Sequence, residues 1–164
     1  MTPSSWRRPV FFAALSLAAA AGVAALLLEL GRSGAALGAI DAADPAQVAL
    51  GRRVYAEQCA GCHGANLEGQ PGWQSRKPDG RLPAPPHDVS GHTWHHPDGV
   101  LFRITKLGPA AIVGENYRSD MPGFEGALSD TEIRAALAFI KSTWPERERD
   151  FQERQSRFER EARR

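Results

Sequence analysis

Hydrophobic and polar positions first mark out an apolar run near the start of the chain. Val10 to Leu28 contains no charged residue. As a helix, that run spans about 28 Å, close to the roughly 30 Å of a bilayer's hydrocarbon core. Trp6-Arg7-Arg8 precedes it, so the positive-inside rule places the N-terminus on the cytoplasmic side. A secretory signal peptide has a shorter apolar region, of about 7–15 residues. The length therefore favours a retained transmembrane anchor within residues 1–30. Cleavage near Ala35, Ala36 or Ala39 is the alternative. Residues 31–43 are rich in Gly and Ala and read as a linker.

Beyond residue 43 the pattern changes to helical periodicity. Asp44-Pro45-Ala46-Gln47 is a helix start, with Asp44 as cap, Pro45 in the first turn and Gln47 where a capping-box partner belongs. Val48, Gly51 and Tyr55 then share one face, and the helix is expected to run to about Cys59. From Asn66 to Pro86, repeated Gly and Pro exclude regular structure. Pro97-Asp98 opens a second helix ending near Gly108, whose stripe of Val100, Leu101, Ile104 and Leu107 is expected to lie in the core. Pro109 to Ser119 reads as a loop. Ser129-Asp130-Thr131-Glu132 is a capping box, and Ile133, Leu137, Ile140 and Trp144 recur at helical spacing until Pro145. An all-α domain over 44–145 is predicted. The tail, 146–164, is dense in Arg and Glu, with Phe151 and Phe158 its only large apolar residues. It is expected to be a solvated helix or frayed end, dispensable for the domain. Docking to a partner subunit through the two phenylalanines is the alternative.

The chain has 164 residues and 42% hydrophobic composition, which allows one small domain plus an appendage. A domain of that size is marginal on its own core. The net charge of +1 gives no argument for nucleic acid.

The only two cysteines lie in Cys59-Ala60-Gly61-Cys62-His63. C-x-x-C-H is the attachment signature of a c-type haem. Two thiols must reach two vinyl groups on one edge of the macrocycle, and a two-residue gap on a helical turn presents both sulfurs along that edge. His63 is then brought to the iron as proximal ligand through a neutral ring nitrogen. A zinc site would want a second ligand pair, and the chain has no second pair of cysteines. A thioredoxin-like dithiol would want strands around it. One covalent haem c is expected, and its apolar surface would add to the small core.

Cys59–His63, a downstream Met121-Pro122 and an amphipathic helix at the end of the domain together resemble a class I c-type cytochrome of bacterial, monohaem, membrane-anchored type. The resemblance covers roughly residues 44–144. It implies helices wrapped around one haem with a loop-rich middle. It implies that Gly51 and Tyr55 match the family's Gly/aromatic pair, where the glycine permits close crossing of the first and last helices. It also implies that a proline-loop carbonyl orients the proximal histidine, with Pro71, Pro83 and Pro85 all open candidates. Met121, the only methionine besides the initiator, sits where the family places its distal ligand. A thioether there would favour ferrous iron. The family is assembled on the outer side of the bacterial inner membrane, so the haem domain is expected in the periplasm.

His87, His92, His95 and His96 fall within ten positions. A polar loop beside the haem edge, with Trp94 packed on it, is the plainer expectation. A copper or zinc site, or a histidine as distal iron ligand, are the alternatives. The expected function is single-electron transfer between donor and acceptor proteins of a respiratory chain, with no substrate chemistry. The alternatives are a haem enzyme or gas sensor with a displaceable distal ligand, or the cytochrome subunit of a dehydrogenase or oxidase.

Overall fold

The computed structural model describes residues 38–114 and 116–164. The run Val10–Leu28 lies outside them, and no described helix is long and apolar enough to cross a membrane. Among the described residues there are helices and loops and no strand.

The first helix, α1, spans Pro45–Gln58. Asp44 caps it by accepting from the Ala46 N–H. Gln47 does not close a capping box. Its Oε1 instead accepts from the Asp41 N–H at 2.7 Å, and its Nε2 donates to the Ala39 carbonyl at 3.0 Å. Those bonds fold the end of the expected linker onto the domain, and Ile40 packs against the core. A short helix, α2 (Ala60–His63), continues directly into the cysteine motif.

After a long irregular stretch and a 3-10 turn at Thr93–His95 comes α3 (Asp98–Leu107). Only Leu101 of its expected stripe is fully buried, and Leu107 at the far end is 42% exposed. The helix is gripped at its N-terminal end, as described below, and its C-terminal end leaves the core. The next segment holds a short helix, α4 (Pro109–Val113), where a loop is expected. Pro109 sits in its first turn, and Gly108 and Gly114, both at positive φ, bound it.

Helix α5 (Asp130–Ser142) starts with the anticipated capping box: Ser129 Oγ accepts from the Glu132 N–H, and Glu132 reaches back to the Ser129 N–H. Its crossing with α1 is the centre of the fold. A Cβ at Gly51 would fall on the Ala135 carbonyl oxygen and within 2.9 Å of Phe139 Cβ. Only glycine allows that approach. Tyr55, Leu67, Leu101, Ile133, Leu137, Phe139, Ile140 and Trp144 form the apolar cluster around the crossing.

The tail is the helix of the first expectation, but it is not wholly solvated. Residues Glu146–Ala162 form the longest described helix, α6, and one of its faces is buried. Glu148, Gln152 and Ser156 are 8%, 0% and 1% exposed. Helix α3 begins after Pro97, which has no side chain to cap it, and α6 supplies the missing acceptors. The Asp98 N–H donates to Ser156 Oγ at 2.9 Å, and the Gly99 N–H to Glu159 Oε2 at 3.0 Å. Gln152 Nε2 donates to Asp98 Oδ1 at 2.7 Å, and Lys141 Nζ of α5 ion-pairs with the same carboxylate oxygen at 2.8 Å. The lysine charge is nearly buried, and the paired aspartate makes that tolerable. Phe151 is half-buried and packs edge-on against Trp94. Phe158 is 72% exposed.

Candidate haem site

The turn of α2 follows α1 almost without a break. The Cys59 N–H still donates to the Tyr55 carbonyl, and the Cys62 and His63 N–H groups turn back to the Cys59 carbonyl. No disulfide joins the two cysteines, and Cys59 is half-buried and Cys62 exposed. Burial, with Cys62 adding to it, pushes the Cys59 thiol up to about 11, so it stays protonated near neutral pH. Tyr55, on the turn before, is buried at the helix crossing, and its hydroxyl donates to the Gly64 carbonyl at 2.9 Å. Burial holds that hydroxyl well above its ordinary pKa, so it remains a donor.

His63 is 6% exposed, and its Nδ1 lies 2.9 Å from the Pro85 carbonyl oxygen. A carbonyl only accepts, so Nδ1 carries the proton and Nε2 keeps its lone pair. Burial lowers the His63 pKa, opposed in part by the Pro85 bond. The imidazole is thus neutral and oriented, the state a metal ligand requires. Of the three candidate prolines, Pro85 is the one whose carbonyl meets the ring.

The loop that delivers Pro85 is fixed along its length. The Gly69 N–H donates to the His63 carbonyl at 2.7 Å, and the Gln70 N–H to the Ala84 carbonyl at 2.8 Å. Gln70 Oε1 accepts from the Ala84 N–H at 2.9 Å. Buried Leu67 adopts a left-handed conformation at φ 70°, and its carbonyl accepts from the His87 N–H at 2.8 Å.

His87 is the residue that the sequence did not single out from its neighbours. Its ring stacks on His63, with centroids 4.0 Å apart and planes 22° from parallel. Its Nδ1 lies 2.7 Å from Thr93 Oγ1, and the Trp144 indole N–H donates to its carbonyl at 2.7 Å. Burial, with His63 and His92 adding, pushes its pKa well below the ordinary value. His92, His95 and His96 lie apart from it: His92 stacks on Trp73 and meets His96 edge-on, and His95 lies against Trp94 and Phe151. Among the described residues, no group of three or more His, Cys, Asp or Glu side chains is placed to hold a metal ion.

Met121 lies half-buried on an irregular segment between α4 and α5. Its N–H donates to Ser119 Oγ at 3.0 Å. Just after it, the Phe124 and Glu125 N–H groups donate to the Thr105 and Lys106 carbonyls at the end of α3. A Cβ at Gly123 would lie 2.6 Å from the Leu107 carbonyl carbon, so glycine lets the segment lie directly on the helix end. Leu107, Ile112 and Val113, on the α3–α4 segment, keep 42%, 38% and 62% of their surface exposed.

A family model for cytochrome c matches residues 48–144. The chain belongs to the cytochrome c family. No curated protein and no solved structure matches the cytochrome. Membership implies covalently bound haem c and electron transfer through it. The residues present fit that group: two thiols on one turn, a neutral histidine with a free Nε2, and uncovered apolar side chains beside the methionine segment. The match runs from the middle of α1 to Trp144 and leaves α6 out.

Proposed function

We propose that this cytochrome is a class I, monohaem, bacterial electron carrier. In this reading Val10–Leu28 tethers it to the inner membrane and its haem domain faces the periplasm. It passes single electrons between a donor and an acceptor protein of a respiratory chain. Cys59 and Cys62 hold the haem as thioethers, each S–H adding across one vinyl group so that sulfur takes one carbon and the proton the other. His63 Nε2 and the Met121 thioether would hold the iron. When bound, the haem supplies a one-electron ferric/ferrous couple.

The single observation that carries this reading is the Pro85–His63 bond. It fixes the tautomer, aims Nε2 and increases the basicity of the ring. Met121 would supply the second ligand. A methionine ligand raises the potential relative to a second histidine, and with both positions filled the protein has no site for substrate.

The test is carbon monoxide binding to the reduced full-length protein. A carrier stays six-coordinate, low-spin and slow to bind. Fast binding to a high-spin ferrous protein would instead support a haem enzyme or gas sensor. The membrane assignment is checked separately. The protein should resist a high-salt wash of membranes and keep its N-terminus. A mature start between about residues 36 and 42 would make the apolar run a cleaved signal.

A further inference from the structure

The segment that carries Met121 has no regular structure from Tyr117 to Gly123, yet it is pinned by charge to a distant loop. The Asp120 carboxylate, one residue before Met121, accepts from Lys77 Nζ on one oxygen and has Arg81 Nε beside the other as an ion pair without hydrogen-bond alignment, each at 3.1 Å. Two residues earlier, Arg118 donates to the Asp79 carbonyl at 3.2 Å. The Arg76 guanidinium lies 5.8 Å from the Tyr117 ring centroid. The donors themselves are braced: the Lys77 N–H bonds to the Arg81 carbonyl at 2.8 Å, Arg81 pairs with Asp79 at 3.1 Å, and Arg76 donates to the Gly80 carbonyl at 2.6 Å. Every contact falls on the tip of one loop, residues 76–81. The base of the same loop presents Pro85 to His63.

We propose that Lys77 and Arg81 are positioning residues for Met121, acting through Asp120, so that one loop sets both axial ligands. Its base orients the proximal imidazole and its tip holds the distal thioether segment in register. The proposal rests on Met121 being the distal ligand. Each pair is partly exposed, and such pairs are individually weak. Two on one carboxylate, beside an otherwise irregular segment, bias how often the segment lifts away. The consequence is a distal side whose closure depends on ionic strength.

The test uses the matured, haem-loaded full chain and imidazole as probe, at about pH 8 where imidazole is neutral. Imidazole binds ferric iron only when Met121 has left. Asp120→Asn keeps the shape of the side chain and removes the charge. It should tighten imidazole binding about fivefold and weaken the long-wavelength thioether-to-iron absorption band. Added salt should tighten binding to the wild type and have little effect on Asp120→Asn. The Lys77→Gln/Arg81→Gln pair should match Asp120→Asn, and combining all three should add nothing, because the same contacts are removed. Unchanged affinity and salt response in Asp120→Asn overturn the clasp. So does a further loosening when the Lys77 and Arg81 changes are added to it. Met121→Ala separates the two ideas. If it opens the site while Asp120→Asn does nothing, the clasp alone fails. If Met121→Ala leaves imidazole affinity unchanged, the ligand assignment fails and the clasp goes with it.

Discussion

The two sides of the haem site are built from different materials. The cysteine–histidine turn grows out of α1, whose backbone lies against α5 at Gly51, and His63 is buried and held by a backbone carbonyl. The Met121 segment has no helix of its own. It rests on the end of α3 through two backbone bonds, and its flank is tied by ion pairs at the surface. Backbone packing in a core is stiff, whereas exposed ion pairs are weak and screened by salt. His63 therefore belongs to the part of the fold that cannot move without unfolding, and the Met121 segment to the part that can. Under the proposed function, that division would keep the iron attached through His63 whatever the Met121 segment does.

The most damaging way to break the comparison is at the stiff side. Gly51→Val would force a side chain into the Ala135 backbone. It should cost about 3 kcal/mol or more and abolish haem incorporation, read as loss of the covalent haem stain on denaturing gels. Truncation after Pro145 comes next. It removes Ser156, Glu159 and Gln152 from the N-terminus of α3 and leaves Asp98 and Lys141 open to solvent. A loss of about 3 kcal/mol is expected from two caps and a buried polar contact, measured by thermal melting of the haem-loaded protein. That outcome would place the root of the distal arm, α3, under the control of a helix outside the family match. A melting temperature equal to that of the full chain would restore the dispensable tail.

Much of this was legible in the sequence, and the parts that were not have physical reasons. The helix starts at Pro45, Asp98 and Asp130 rest on capping residues and prolines, which act locally and can be read locally. The crossing at Gly51 was available through the family resemblance, because a glycine facing Tyr55 has few other uses. The choice of Pro85 over Pro71 and Pro83 was not legible, because it depends on how a loop of more than fifteen residues closes. The tail misled because charged residues outnumber apolar ones there, and its buried face is polar. Glu148, Gln152 and Ser156 recur at i, i+4 and i+8, a period that would have marked a face had short polar groups been counted as candidates for burial. His87 was grouped with its neighbours by type, whereas its stacking on the His63 ring separates it from them.

Finer changes sharpen the picture. Ser156→Ala removes one cap from α3 and should cost about 1 kcal/mol without altering the haem spectrum. The smallest effect is on pH. His87 is half-buried, and the loss of solvent around its ring holds its pKa well below that of an unfolded histidine, so the unfolded chain binds a proton that the folded chain refuses. Stability contributed by the neutral ring is present above the unfolded pKa of 6.5 and lost as pH falls below it. Between about pH 6.5 and 5.5 the loss should approach 1 kcal/mol. His87→Leu should be less stable at neutral pH, because Thr93 loses its partner, but should show a shallower acid slope. An identical slope would mean that another group sets it.

Ligation of the iron by Met121 is decided by the ferric absorption spectrum of Met121→Ala together with its reduction potential. The expected result is loss of the weak long-wavelength thioether-to-iron band, a lower potential because the ligand favouring ferrous iron is gone, and ready binding of carbon monoxide when reduced. Met121→His should remain six-coordinate and low-spin, again at lower potential. An unchanged spectrum in Met121→Ala, together with an altered one in His95→Ala or His96→Ala, would contradict the assignment and make a histidine the distal ligand.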